Sequence, residues 1–230
     1  MYHFILPFIS ISLPEYQQQE AWIWLVPFVL LGGASYYYLK KKSEKQEEKH
    51  GKTIAVLGMK GVGKTLFLAN ISNKDYKDCA ATIGSEDYKG FYLSIGGHIF
   101  FIKGGKDIGG GEEYIRDYYE EMIKNSEIVF FLFNAYKYLN EKDYRDQTQA
   151  RFEFIYRHSQ ESNTNVIILA TFADKFSSVQ KRNDAYTSIK NSVSEKSYQK
   201  LLIDTRFFLL DMRDKVYLFN KILTKIFKDE

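Results

Sequence analysis

The stretch TIAVLGMKGVGKTLFLANI, residues 53–71, decides the fold. Thr53 to Leu57 is a short apolar, β-rich run, and Leu66 to Ile71 reads as a helix. Between them, Gly58 to Thr65 has the spacing G-x-x-x-x-G-K-[ST]. Each residue type has a physical task in binding phosphate. Gly58, Gly61 and Gly63 let the backbone curl so that successive N–H groups point inward at phosphate oxygens. Lys60, Val62 and Leu66 complete the run of backbone around that cradle. Lys64 places a cation on the β- and γ-phosphates, and Thr65 offers a hydroxyl to Mg²⁺. The helix N-terminus adds about half a positive charge where the anion sits. A nucleotide site is therefore expected at residues 58–66.

Outward from this loop the chain is two materials joined end to end. All 32 Lys and Arg residues lie at Lys40 or later, together with 27 of the 29 acidic residues, so that part carries +5. The first 39 residues carry −2, from Glu15 and Glu20, and hold all three prolines and both tryptophans. A hydrophobic content of 45% with 17% aromatics excludes a disordered chain. The single cysteine, Cys79, excludes a disulfide scaffold and suits a reducing compartment. The +5 is spread over mixed charge, so it reads as a solvated surface and not as a nucleic-acid footprint. His3, His50, His98 and His158 have no metal-ligand spacing.

Residues 21–39, AWIWLVPFVLLGGASYYYL, contain no charge. A helix of that length spans about 28 Å, close to the hydrocarbon thickness of a bilayer. Trp22 and Trp24 sit at one end and Tyr36, Tyr37 and Tyr38 at the other, where amphipathic rings favour headgroups. Lys40-Lys41-Lys42 follow at once, which predicts a single-pass anchor with its C-terminal side in the cytoplasm. The expected organisation is an apolar segment at 1–20, the anchor at 21–39, a charged linker at 40–51 and one nucleotide-binding domain at 52–230. Residues 1–14 are expected to lie at the outer interface or to extend the anchor.

Four motifs resemble the small GTPases, and within them the Arf-like branch: the phosphate loop, Thr82-Ile83-Gly84, Asp107-Ile108-Gly109-Gly110 and Thr171-Phe172-Ala173-Asp174. The layout, an anchor before such a domain, is similar to the β subunit of the signal recognition particle receptor, a member of that branch. The resemblance covers about residues 52–228. It implies a P-loop NTPase fold of Ras/Arf type, α/β and doubly wound, with a mainly parallel six-stranded sheet behind the one transmembrane helix. The ligands it implies are GTP or GDP with Mg²⁺.

The same resemblance assigns roles. Thr82, 17 residues after Thr65, would be the first-switch threonine, a second Mg²⁺ ligand beside Thr65. Asp107 would hold a Mg²⁺-bound water and Gly110 would meet the γ-phosphate. Lys103-Gly104-Gly105-Lys106 intervenes before Asp107, which implies either a glycine-rich bulge in the strand or a displaced aspartate. Gly111 stands where active relatives carry a water-orienting glutamine, so no catalytic residue is assigned and intrinsic hydrolysis is expected to be weak or completed by a partner. Asp174 would pair with guanine's N1/N2 edge, after Thr171, with Phe172 in place of the usual lysine and stacking on the base. Met212, in Asp211-Met212-Arg213, would lie in the last loop over the base.

The remaining patterns agree. GFYLSI (90–95) and HIFFIK (98–103), joined by Gly96-Gly97, predict a hairpin between the switches. EIVFFLF (127–133) and NVIILA (165–170) predict buried strands; residues 143–158 and 216–227 predict helices. The Tyr118-Tyr119 and Tyr136/Tyr138 clusters read mainly as fill, with partner surface as the lesser reading. The expected function is a membrane-anchored GTP-binding switch or docking subunit on the cytoplasmic face, recruiting a protein partner through the switch loops. An anchored P-loop ATPase or nucleotide kinase is the alternative, disfavoured by Asp174 and the absence of an Arg-rich lid.

Overall fold

The computed structural model describes residues 51–74, 85–108, 118–203 and 205–228, all within the unit that runs from His50 to Glu230. The expected anchor at 21–39, and with it Thr82, Gly110 and Gly111, lies outside the described residues. Among the described residues no helix is long and apolar enough to cross a membrane.

Four strands form a parallel sheet in the order β1 (Ile54–Gly58), β6 (Ile128–Asn134), β7 (Asn165–Thr171) and β8 (Phe207–Leu209). β1 is buried throughout, and β6 and β7 in all but an end residue, as in a sheet covered on both faces. The phenylalanines of β6 show both coverings directly. Phe130 packs on Phe67 of helix α1 (Lys64–Ile71), with ring centroids 4.9 Å apart. Phe131 and Phe133, on the opposite face by the two-residue strand period, each meet Phe152 at 5.5 Å. Phe152 belongs to a long helix (Lys142–Ser162) whose buried positions are 148, 151, 152, 155 and 159, one apolar-facing stripe at helical spacing. That helix ends on Asn163 in the left-handed region.

The other strands form two antiparallel ladders: β2 (Ser85–Tyr88) with β5 (Gly105–Ile108), and β3 (Phe91–Ile95) with β4 (His98–Ile102). Gly96 and Gly97 turn the second with φ of +56° and +85°, as the Gly-Gly signal predicts. The two ladders are one long hairpin, interrupted at Lys89-Gly90 on one arm and Lys103-Gly104 on the other.

Among the described residues the expected six-stranded sheet is therefore corrected to a four-stranded parallel sheet flanked by this broken hairpin. The two meet at a single parallel bridge, Lys52 with Ile102. The break has a local cause. Tyr88 turns its hydroxyl onto Ile54 O of β1 at 3.1 Å, taking the carbonyl that the next ladder bond would use. A Cβ on Gly105 would lie 2.7 Å from that hydroxyl, so glycine at this point is what lets the tyrosine through. Asp107 follows on β5, which still lies alongside β1. The glycine-rich bulge is the form the insertion takes.

Further helices are α2 (Glu120–Lys124), α3 (Ala135–Asn140) and α5 (Val179–Asn191), the 142–162 helix being α4. The closing segment after β8 is α6 (Lys215–Tyr217), a π-helical stretch (Leu218–Leu223) and α7 (Thr224–Lys228). It buries Leu218, Ile222, Leu223, Ile226 and Phe227, the last against Phe100 of β4 at 5.1 Å.

Candidate functional site

Parallel strands bring their carboxyl ends to one edge, and the predicted motifs gather there. Gly58, at the end of β1, takes φ +151°; Gly61 and Gly63 take +70° and +89°, which favours glycine at each. Helix α1 starts on Gly63 with no capping side chain and no acidic residue in its first turn. Its leading N–H groups and positive dipole end are left open to an anion. Val62 is buried beneath the loop, while Lys60 and Gly61 form its exposed crest.

Lys64 is only 7% exposed and folds back on the loop, donating to Gly58 O at 3.3 Å and Met59 O at 3.2 Å. Burial lowers its pKa to about 8, partly offset by the carboxylate of Asp107 and reinforced by Arg151. Gly58 O has two other donors, the Tyr119 hydroxyl at 3.0 Å and Arg151 Nη1 at 3.4 Å. The same hydroxyl accepts from Gly58 N at 3.1 Å, and it also bonds to Arg151. Lys64 can therefore leave for a phosphate without stranding the Gly58 carbonyl.

Tyr119 is fully buried, and burial raises its pKa; Tyr138 is fully buried as well. Neither is partner surface, whereas Tyr136 is 46% exposed.

Thr65 Oγ1 donates to Asp107 Oδ2 at 2.8 Å, so a residue of α1 and a residue of β5 meet beside the loop. A hydroxyl and a carboxylate, the latter in a residue 6% exposed, form a hard-oxygen pair suited to Mg²⁺. Thr65 and Asp107 are the described residues that would hold this ion, which would supply positive charge to offset that of the phosphates.

The base-side loops are built on β7 and β8. Thr171 is wholly buried and its hydroxyl donates to Phe133 O at 3.0 Å, so it secures the loop from below. Phe172 has φ +64°, a left-handed conformation that costs a side-chain-bearing residue about 1–2 kcal/mol. Its ring is half-buried and has no ring partner among the described residues. Ala173 N donates to Leu210 O at 3.2 Å, which ties this loop to the next. There Met212 packs at Gly63, within 3.8 Å of where a Cβ would stand, and its carbonyl accepts from Asn70 Nδ2 of α1 at 3.0 Å. A cavity of about 620 Å³ opens beside this contact, with Leu66, Asn70, Met212 and Arg213 in its wall.

Asp174 faces Arg213, Oδ2 to Nη2 at 3.3 Å, and Asp211 grips the same guanidinium at 2.9 Å. The residues that the sequence reading missed, Tyr119, Arg151 and Asn70, act on the site from outside its motifs or across large separations in the chain. Arg213 lies in the expected last loop, with no role assigned to it there from the sequence. The structure thus brings together Gly58 to Leu66, Asp107, Thr171 to Asp174 and Met212, while Thr82 and Gly110 lie outside the described residues.

A search of curated proteins returns no match to this chain. The sequence profile of the ADP-ribosylation factor family matches residues 38–204, well over half of the chain and including the phosphate loop, Asp107 and the Asp174 loop. With its phosphate loop, its Thr65–Asp107 pair and its parallel sheet, the chain belongs to the ADP-ribosylation factor family of small GTP-binding proteins.

Proposed function

We propose that this protein is a membrane-anchored GTP-binding switch or docking subunit, held by residues 21–39 with its nucleotide domain in the cytoplasm. The observation that carries the nucleotide half is the Thr65–Asp107 hydrogen bond of 2.8 Å. It joins two motifs 42 residues apart at the mouth of a loop shaped for phosphate. The charge-free 21–39 segment and the lysines after it carry the membrane half. GTP with Mg²⁺ would order the loops around Thr82 and Asp107, and the ordered surface would recruit a protein partner.

Hydrolysis is weak or partner-dependent in this reading, because Gly111 has no side chain to orient water. Gly111 is also the feature that favours the docking form over the cycling switch. The test is to extract the full chain from membranes in detergent, identify the nucleotide that co-purifies and follow its turnover. Bound GTP with slow or no turnover supports the docking form, and steady conversion to GDP supports the switch. Co-purified ATP would sink both. Release of the intact chain by alkaline carbonate, without detergent, would sink the anchor.

Phe172 supplies a separate test of how the base is held. Its half-buried ring, carried on a left-handed backbone, would stack on a purine in this reading. Phe172→Ala should weaken GDP binding about 5- to 150-fold, the range for losing one base–aromatic stack. Fluorescence titration with a labelled GDP reads this, and an unchanged affinity would remove Phe172 from the site.

A further inference from the structure

Arg213 stands where a base-reading group is needed. Its guanidinium is held in one orientation by Asp211, Nε to Oδ1 at 3.0 Å and Nη2 to Oδ2 at 2.9 Å. Asp211 Oδ1 also accepts from the Arg213 backbone N–H at 3.0 Å. That grip leaves Nη2 3.3 Å from Asp174 Oδ2. The loop beneath is fixed by buried groups, Met212 against Gly63 and Met212 O on Asn70, so the arginine emerges from a defined backbone. The side chain itself is 71% exposed and lines the cavity beside α1, open to a ligand entering there. An ion pair this exposed is screened by solvent and contributes little to folding, so stability does not account for the arrangement.

We infer that Arg213 reads the O6 side of guanine while Asp174 reads its N1/N2 side. The inference rests on the guanine-nucleotide reading of the site. Guanine's pairing edge presents two donors, N2–H and N1–H, and then an acceptor, O6, with the acceptor N7 beyond it. A carboxylate matches the two donors and a guanidinium fork matches the acceptors, in that order along the edge. Asp174 and Arg213 are such a neighbouring pair.

On guanine entry the N1–H and N2–H groups replace Nη2 on the Asp174 carboxylate. Arg213, still gripped by Asp211, keeps its fork facing O6. Adenine meets the same pair with both signs reversed. Its N6 amino group opposes the guanidinium donors, and its N1 lone pair opposes the carboxylate. The pair thus rejects adenine at two points where Asp174 alone would reject it at one.

The experiment compares the full-length protein and Arg213→Ala for binding of GDP, inosine diphosphate, 2-aminopurine riboside diphosphate and ADP, with Mg²⁺, by calorimetry. Inosine keeps O6 and N1–H and loses the 2-amino group. 2-Aminopurine keeps the amino group and loses both O6 and N1–H, so its wild-type binding is weaker but gains nothing from an O6 contact. Arg213→Ala should weaken GDP and inosine diphosphate about 5- to 150-fold and leave the 2-aminopurine nucleotide unchanged. Unchanged or tighter GDP binding in the variant would overturn the inference and make Arg213 a cover over Asp174. Equal weakening of all three would also overturn it, as a collapse of the loop. Wild-type protein that binds ADP as well as GDP would overturn the guanine reading itself, which the other two outcomes leave standing.

Discussion

Replacing Lys64 with methionine should reduce GDP affinity by about 10²- to 10³-fold and at the same time make the nucleotide-free protein more stable. The first effect follows from removing a charge-assisted bond to phosphate, while Arg151, a second cation at the loop, is engaged with Gly58 O and Tyr119. Breaking a buried charge interaction of this kind costs about 3–5 kcal/mol. The second follows from where Lys64 rests without ligand. It is buried against two carbonyls, and burial holds its pKa near 8, below the ordinary 10.5. The sign is fixed by proton counting. Below pH 8 the ammonium is charged in both the folded and unfolded chains, and its burial costs the fold on the order of 3 kcal/mol. Between pH 8 and 10.5 the unfolded chain binds more protons than the folded one, so stability rises with pH. Unfolding curves of the wild type and Lys64→Met, taken without nucleotide and with chelator, should therefore converge as pH rises through that window. A variant that binds GDP normally, or one destabilised at pH 7, would refute the placement of Lys64.

That opposition between stability and function also explains which parts of the site the sequence discloses. Gly58 to Thr65 is legible because phosphate binding must be assembled from consecutive backbone, so spacing alone betrays it. The loop's supports follow no such constraint. Tyr119 and Arg151 reach Gly58 from 61 and 93 residues away, and Asn70 meets Met212 across 142. Each looks like an ordinary helical residue until the fold closes. Tyr119 could be read as fill or as partner surface for that reason. The sheet shows a related limit. The strand runs at 90–95 and 98–103 are plain, but the loss of the continuous six-stranded ladder depends on one hydroxyl, Tyr88 on Ile54 O. The glycines at 104 and 105 mark the interruption, and only the tertiary contact says what fills it.

Gly58→Ala should abolish folding of the domain, while Gly61→Ala in the same loop should cost about 1–2 kcal/mol. Both positions have positive φ, so backbone strain alone does not separate them. Space does. A Cβ on Gly61 would meet nothing within 4 Å. A Cβ on Gly58 would lie 2.3 Å from Leu132 O and 2.9 Å from Leu132 N, backbone atoms of the adjacent strand. Side chains can swing aside, but a ladder partner cannot. Gly58 pairs with Leu132 in the parallel register, and Met59 N donates to Leu132 O at 3.0 Å. Relief of the clash must part β1 from β6 at the point where both are buried, and it draws Gly58 away from Tyr119 and Arg151 as well. Losses above about 4–5 kcal/mol are reached by such combined mechanisms, against a total stability of about 5–15 kcal/mol for a domain. Soluble yield and far-ultraviolet circular dichroism of the two variants, side by side, give the comparison. Equal behaviour would mean that the close approach of β1 to β6 is not what requires glycine at 58.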